Sequence, residues 1–261
     1  MNTRTARGML LAAVVLTVAT PASAQSVLLR MNPEQGLVSR YVMGMEMHME
    51  SPMIASDEPF MIGTIHTTQT VIGVEGDVVH YSMTTDSADI RTPAMPMIQQ
   101  QIPDQTGETV TMRMDTRGRF IGIDAGPPEA QQLAGQLGGM RLELPEGPVS
   151  TGDTWEANIQ SELPGLPGAS GAIDMALVYT LVEVASAGGA QFATITFEGP
   201  VSMSGQGSGV GMEAGGTMSG TLVMDVTHGR MTSSEVAMAM DLNAGGMQMS
   251  MNQSMTTTLI N

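Results

Sequence analysis

The chain has 261 residues, no cysteine, and 26 acidic against 10 basic side chains, a formal charge of −16 at pH 7. Without cysteine, neither disulfides nor a lipid attached through an N-terminal thiol is available, so the fold has to rest on its core. An acidic excess of this size repels nucleic acid and anionic lipid surfaces, and it reads first as a solubilising surface, with a basic partner as the alternative.

The chain opens with Arg4 and Arg7 and no acid, followed by an apolar run from Met9 to about Ala19 and then Ala22-Ser23-Ala24. A basic start, a short apolar run and an Ala-x-Ala site predict a signal peptide over 1–24, cleaved after Ala24, and export to the periplasm. The run falls short of the roughly 20 residues a membrane span needs, and no later stretch is apolar enough, so a soluble mature chain with no transmembrane segment is expected. Loss of Arg4 and Arg7 leaves 8 basic against 26 acidic side chains, or −18. The remainder suits one large β domain or two small ones.

From Tyr41 to Glu50 the sequence alternates strictly. Tyr41, Met43, Met45, Met47 and Met49 share one face, and Val42, Gly44, Glu46, His48 and Glu50 the other, which predicts a half-buried strand. Further strands are expected at about 60–74, 78–90, 108–115, 119–124, 154–161, 174–184, 191–205 and 216–226, separated by glycine-bearing turns. Near the C-terminus Val236, Met238, Met240 and Leu242 oppose Glu235, Ala237, Ala239 and Asp241. Met247, Met249, Met251, Met255 and Leu259 then oppose a polar row, and Asn243-Ala244-Gly245-Gly246 supplies the tight loop of a hairpin.

Two segments interrupt the strands. Residues 92–106 carry three prolines and read as a linker or a flap, while Pro127-Pro128-Glu129 followed by Leu133 and Leu137 suggests a short helix. The Gly, Ser and Met stretch from Gly199 to Gly220 reads as a loose strand pair or a mobile loop.

The two halves resemble each other at an offset of 110 to 116 residues. Met114-Asp115 before Gly118-Arg119 recurs as Met224-Asp225 before Gly229-Arg230, and Gly36 before Tyr41 corresponds to Gly152 before Trp155. A duplication is one explanation, and independently arising glycine hairpins are the other. The expected fold is mainly β, a curved antiparallel sheet or half-barrel of about eleven strands, with two related repeats and one or two short helices. A first β half spans 25–126, a helix and linker 127–143, and a second β half 144–261, in one continuous domain.

No nucleophile elbow, phosphate loop or zinc cluster is present, and His48, His66, His80 and His228 stand isolated in sequence, so no enzyme and no cofactor are expected. Methionine is the anomaly, with 27 residues. Thioether sulfur favours Cu(I), and Met43, Met45 and Met47 suggest such a site. Against it, His48 lies on the opposite face, and Leu222, Val236, Leu242 and Leu259 fill equivalent positions, so the face needs only to be apolar. The row Glu46, His48 and Glu50 reads as a solvent-facing charged row before it reads as an ion site. Unbranched methionines make adaptable surfaces, and a large sheet with only 3% aromatic residues is expected to enclose a groove.

Leu28-Leu29-Arg30-Met31-Asn32 with Gly36 and Tyr41, Met112-Arg113-Met114-Asp115 with Gly118-Arg119, and Leu144-Pro145-Glu146-Gly147-Pro148-Val149 leading to Gly152-Asp153-Thr154-Trp155 together resemble an uncharacterised exported bacterial family, domain of unknown function 6263. Members are often lipoproteins, and this chain departs by lacking the anchoring cysteine. The resemblance implies compartment and fold but no activity. The curved sheet is also similar to the half-barrels of periplasmic lipoprotein carriers, an analogy of fold alone. The leading expectation is a non-enzymatic envelope protein binding a lipid-like ligand or an envelope partner through Met43, Met45, Met47, Met49, Met238, Met240, Met247, Met249 and Met251. Periplasmic Cu(I) binding and a structural or assembly role are the alternatives.

Overall fold

A computed structural model describes residues 26–50, 58–100, 105–128, 143–162, 169–207 and 210–260. Eleven antiparallel strands form one open sheet: β1 (Val38–Glu50), β2 (Met61–Glu75), β3 (Val78–Arg91), β4 (Thr109–Asp115), β5 (Phe120–Ala125), β6 (Thr154–Glu162), β7 (Ala169–Ala187), β8 (Ala190–Gly207), β9 (Val210–Asp225), β10 (Arg230–Ala244) and β11 (Met247–Leu259). The spatial order is β5-β4-β3-β2-β1-β11-β10-β9-β8-β7-β6. Each strand pairs with its sequence neighbour except at two places. The first and last strands pair with each other, Tyr41 opposite Leu259 and Met49 opposite Met251, and β5 and β6 become the two outer edges.

The alternation of the sequence is the alternation of burial. On β10, Met240 is buried and Val236, Met238 and Leu242 are half-buried, while Glu235, Ala237, Ala239 and Asp241 are exposed. The expected hairpin closes as Ala244 opposite Met247, with Gly245 and Gly246 at φ of 59° and 85°, the two left-handed positions of a type I′ turn. Gly188 and Gly189 do the same between β7 and β8.

Residues 199–207 and 210–220 belong to two long paired strands. Glycine there lets backbones approach: a Cβ on Gly216 would collide with the Ala239 carbonyl, and one on Gly220 with Phe197. Strand β7 also exceeds the expected 174–184, because Ala169-Ser170-Gly171-Ala172 offers no apolar contrast yet pairs in register with Ser204 to Gly207. In the proline-bearing segment a single helical turn, α1 (Pro96–Gln99), is fastened to the end of β3, where Gln99 accepts from Thr92 N–H at 2.9 Å and donates to Ile90 O at 2.7 Å. Residues 129–142, where a second short helix was expected, lie outside the described residues, as do 1–25. Among the described residues no helix is long and apolar enough to cross a membrane.

Among the β-bulges of the sheet, two re-phase β2 and β7. Ile72 is skipped between the pairs Val71–Tyr81 and Gly73–His80, and Val182 between Leu181–Ile195 and Glu183–Thr194. Both skipped residues are turned outward, 45% exposed, and the inward phase then passes from odd to even positions, so that Val74 and Val184 pack on the core.

One end of the sheet is sealed by two crossing segments. Val27 and Val149 form an isolated antiparallel bridge, and Leu29 and Leu144 are completely buried between it and the strands. Arg117, in the β4–β5 turn, holds the second segment through Leu144 O at 2.8 Å and Glu143 at 3.1 Å, and Arg30 binds Pro145 O at 2.7 Å. From the opposite edge, Trp155 Nε1–H donates to Glu143 O at 2.7 Å. The segment therefore ties the β4–β5 turn to β6, one edge of the sheet to the other.

Gly229 sits under this seal with φ of 60° and its Cα against the Asn32 backbone, whereas Gly76, also at φ of 60°, has open space around it. Gly76→Ala is expected to cost about 1 kcal/mol, the left-handed penalty alone. Gly229→Ala should cost distinctly more in urea unfolding, because the added methyl must displace the sealing segment. Equal losses would show that the seal does not press on this turn.

Candidate binding cavity

Inside the curve lies a cavity of about 250 Å³ to which every one of the eleven strands contributes a side chain, among them Phe120 of β5 and Ile159 of β6, the two edges. Laid flat, eleven strands at their usual spacing would separate those edges by about 48 Å. A cavity this small can touch both only because the sheet curls around it. The smaller apolar cluster, Val71, Val79, Tyr81, Val110 and Met112, forms one wall. The larger cluster, which includes Met175, Leu177, Tyr179, Met218 and Leu222, forms the other.

The aromatic residues gather toward the sealed end. Trp155, Tyr179 and Phe197 are register neighbours on β6, β7 and β8. Trp155 stacks on Tyr179 with centroids 5.5 Å apart and planes at 8°, and Tyr179 meets Phe197 at 5.5 Å and 40°. Tyr41, Tyr81, Met31 and Pro33 line the same region. Farther along the strands the lining passes to thioethers: nine methionines of the described residues line the cavity, among them Met43, Met83, Met175, Met218 and Met255.

Polar groups enter at the sealed end. Tyr41 OH donates to Met231 O at 3.0 Å, Arg230 Nη1 donates to Ser39 Oγ at 3.3 Å, and Ser39, Arg230 and Tyr41 all line the cavity. Arg230 is the only charged residue among the described residues that line it. Behind it, buried Asp225 accepts from His228 Nδ1 at 2.6 Å and from His228 N–H at 3.1 Å, and stands 3.8 Å from Arg230 Nε.

Of the nine methionines singled out from the sequence, only Met43 lines this cavity. Met240 is buried in the larger core cluster with Met238 and Met251 packed against it, Met247 is 50% exposed, and Met45 lies over Gly63, where an added Cβ would come within 2.8 Å of Met45 Cγ. Met47 and Met49 are half-buried opposite Gln253 and Met251, and Met249 is half-buried opposite Leu242. Of the other cavity methionines, Met83 and Met175 are single thioethers in their strands and Met218 is one of three spread along β9, and no sequence signal separates them from ordinary core.

Met43, Met45 and Met47, the copper candidates, do share the inner side of β1. His48 is on the outer side, 2.7 Å from Glu46 Oε1, with both side chains near half exposure and Glu50 exposed, so the charged row faces solvent. His80 lies near Glu75 and Asp124, and His228 against Asp225. Among the described residues no group of three or more His, Asp and Glu side chains is placed to hold a metal ion.

No family model matches the chain, and no curated protein is a significant match to it.

Burial shifts the tyrosines. Tyr179 is pushed up from 10.0 to about 12, by desolvation opposed by a hydrogen bond with the Glu143 backbone, and burial raises Tyr81 and Tyr41 as well. The folded state then keeps phenol protons that the unfolded chain loses above pH 10. The stability this represents is complete below pH 10 and lost as pH rises through the folded values. Urea midpoints are expected to be level from about pH 8 to pH 9.5 and to fall between pH 10 and 12, less steeply in Tyr179→Phe. An equally steep fall in that variant would take the buried Tyr179 phenol out of the account.

Proposed function

We propose that this is a non-enzymatic, exported protein of the bacterial envelope that binds a lipid-like, apolar ligand in the methionine-lined cavity. The observation that carries the reading is a single apolar cavity walled by all eleven strands. Ligand sites are concave, mostly apolar and furnished with a few convergent polar groups, and this cavity has that composition. Its nine methionines are unbranched and polarisable, walls that adapt to chains of variable shape better than Ile or Val would. Among the described residues that line it there is no histidine or carboxylate, which favours binding over acid–base chemistry.

Export rests on the basic, then apolar, then Ala-x-Ala start of the chain. The proposed kinship with the uncharacterised exported family rests on the motifs quoted above, one of which has a visible role. The Gly152-Asp153-Thr154-Trp155 motif enters β6, with Asp153 Oδ2 accepting from Ser150 N–H at 2.8 Å and Trp155 fastening the sealing segment.

The same reading takes the halves 25–126 and 144–261 as related, with β1–β5 matching β6–β10. In its support, Gly36 N–H donates to Val71 O at 2.8 Å and Val71 N–H to Leu37 O at 2.9 Å, and Gly152 with Leu181 and Leu181 with Asp153 repeat the pair at 2.7 and 3.0 Å. The bulged residues Ile72 and Val182 follow directly in both.

Native mass spectrometry of the protein purified from the periplasm of an expressing bacterium tests the proposal. The expected spectrum shows a chain beginning at Gln25 with a lipid-sized adduct that organic extraction removes. Met45→Leu with Met47→Leu should leave the adduct in place, because neither lines the cavity, whereas Met218→Trp should displace it. A chain with no adduct, whose apolar dye binding is unchanged by Met218→Trp, would contradict it.

A further inference from the structure

Five arginines of the described residues, Arg30, Arg91, Arg113, Arg117 and Arg119, each lie within 3.4 Å of a carboxylate or carbonyl oxygen. Arg230 is different. Its side chain is 21% exposed, its Nε has no hydrogen-bond partner, its contact with Ser39 is 3.3 Å and its nearest carboxylate is 3.8 Å away. Asp225 pairs with it at 3.8 Å from outside the cavity while its two oxygens also accept from His228 at 2.6 and 3.1 Å, so the cavity side of the guanidinium is left to other acceptors. A guanidinium carries five donors in a planar fork and does not deprotonate. In a chain with 26 acidic residues, the one charge lining the apolar cavity is this cation.

We propose that the occupant is an amphiphile with a single apolar chain and an anionic head group, bound with its head at the sealed end against Arg230 and Ser39 and its chain along Met43, Met255 and Met218. This rests on the reading of the cavity as a ligand site and adds the chemical class and the orientation. Arg230 has one long hydrogen bond and, from outside the cavity, a loose ion pair with Asp225 at 3.8 Å, and an anion in the cavity that accepts from the rest of the fork adds charge-assisted bonds. The chain of the ligand covers the thioethers beyond. Neutral lipids leave Arg230 as it is, and cationic amphiphiles place like charge against it.

The geometry also fixes direction. Ser39 and Tyr41 stand at the start of β1, and Arg230 starts β10, two strands away across β11; Met231, which follows it, accepts from Tyr41. Met43 and Met255 lie farther along β1 and β11, away from the Leu29 and Leu144 seal. A head group at the mouth and a chain at the sealed end would put the apolar tail on the only charge in the cavity.

Delipidated protein, titrated at about pH 7.5 by isothermal calorimetry with dodecanoate, monododecyl phosphate, dodecanol and dodecyltrimethylammonium below their micelle concentrations, tests this. Dodecanoate or the phosphate is expected to bind at least about ten-fold more tightly than dodecanol, and the ammonium more weakly than dodecanol. The tighter of the two anions tells a carboxylate head from a phosphate head. In Arg230→Met the anion preference should collapse to within about two-fold while dodecanol binding persists, which shows that variant folded, and Arg230→Lys should keep part of the preference. Dodecanol or the ammonium binding wild type as tightly as the anions would overturn the head-group assignment and leave the apolar site standing. Failure of all four to bind would overturn the cavity reading with it.

Discussion

A single sheet with one apolar face has to find something to lay that face against, and the described residues hold no second layer. The strand order makes the problem acute. Pairing of β1 with β11 places both ends of the strand array at the centre of the sheet and leaves β5 and β6 as opposite edges. The solution is curvature: the sheet folds its apolar face toward itself, two clusters of core residues face each other, and a segment held by Arg117 and Trp155 ties one edge to the other. Bulges at Ile72 and Val182 sharpen the bend and re-aim the strand ends.

Much of the unusual composition follows from that constraint. Side chains on a concave face crowd one another toward the axis, and unbranched methionine fills irregular space where branched or aromatic side chains would clash. Bulky rings occur where the end is sealed, in the Trp155–Tyr179–Phe197 row and beside Leu29. Glycines such as Gly216 and Gly220 let neighbouring backbone and rings come closer than a Cβ permits. A concave face that curls without fully closing on itself retains a cavity as a geometric remainder, and the same flexible side chains that line it suit it to a ligand.

The architecture was legible because alternation at period two survives in almost every strand, as on β10, where exposure follows Glu235, Ala237, Ala239 and Asp241 residue by residue. It faltered where small residues erase the contrast, at Ala169 to Ala172 and between Gly199 and Gly220, since backbone pairing needs no side-chain signal. The site was less legible. Alternation tells which face Met45, Met47 and Met49 share, but not how far along the strand the facing wall comes close, so it marked a methionine-rich stripe of which only Met43 meets the cavity. Arg230 stood out only as part of the repeated Gly-Arg turn and carried no signal of binding: it opens a strand after that turn, and its place beside Ser39 and Tyr41 depends on the pairing of β1 with β11, nearly the full length of the chain apart.

The central claim is that one methionine-lined cavity inside a curled sheet receives the ligand, and methionine methyl groups report on it directly. With the methyls labelled with carbon-13 and assigned by substitution, dodecanoate titration followed by NMR is predicted to shift Met43, Met218 and Met255, which line the cavity, while leaving exposed Met97 and Met247 in place. Shifts centred on Met97 or Met247, with Met43, Met218 and Met255 unmoved, would contradict it.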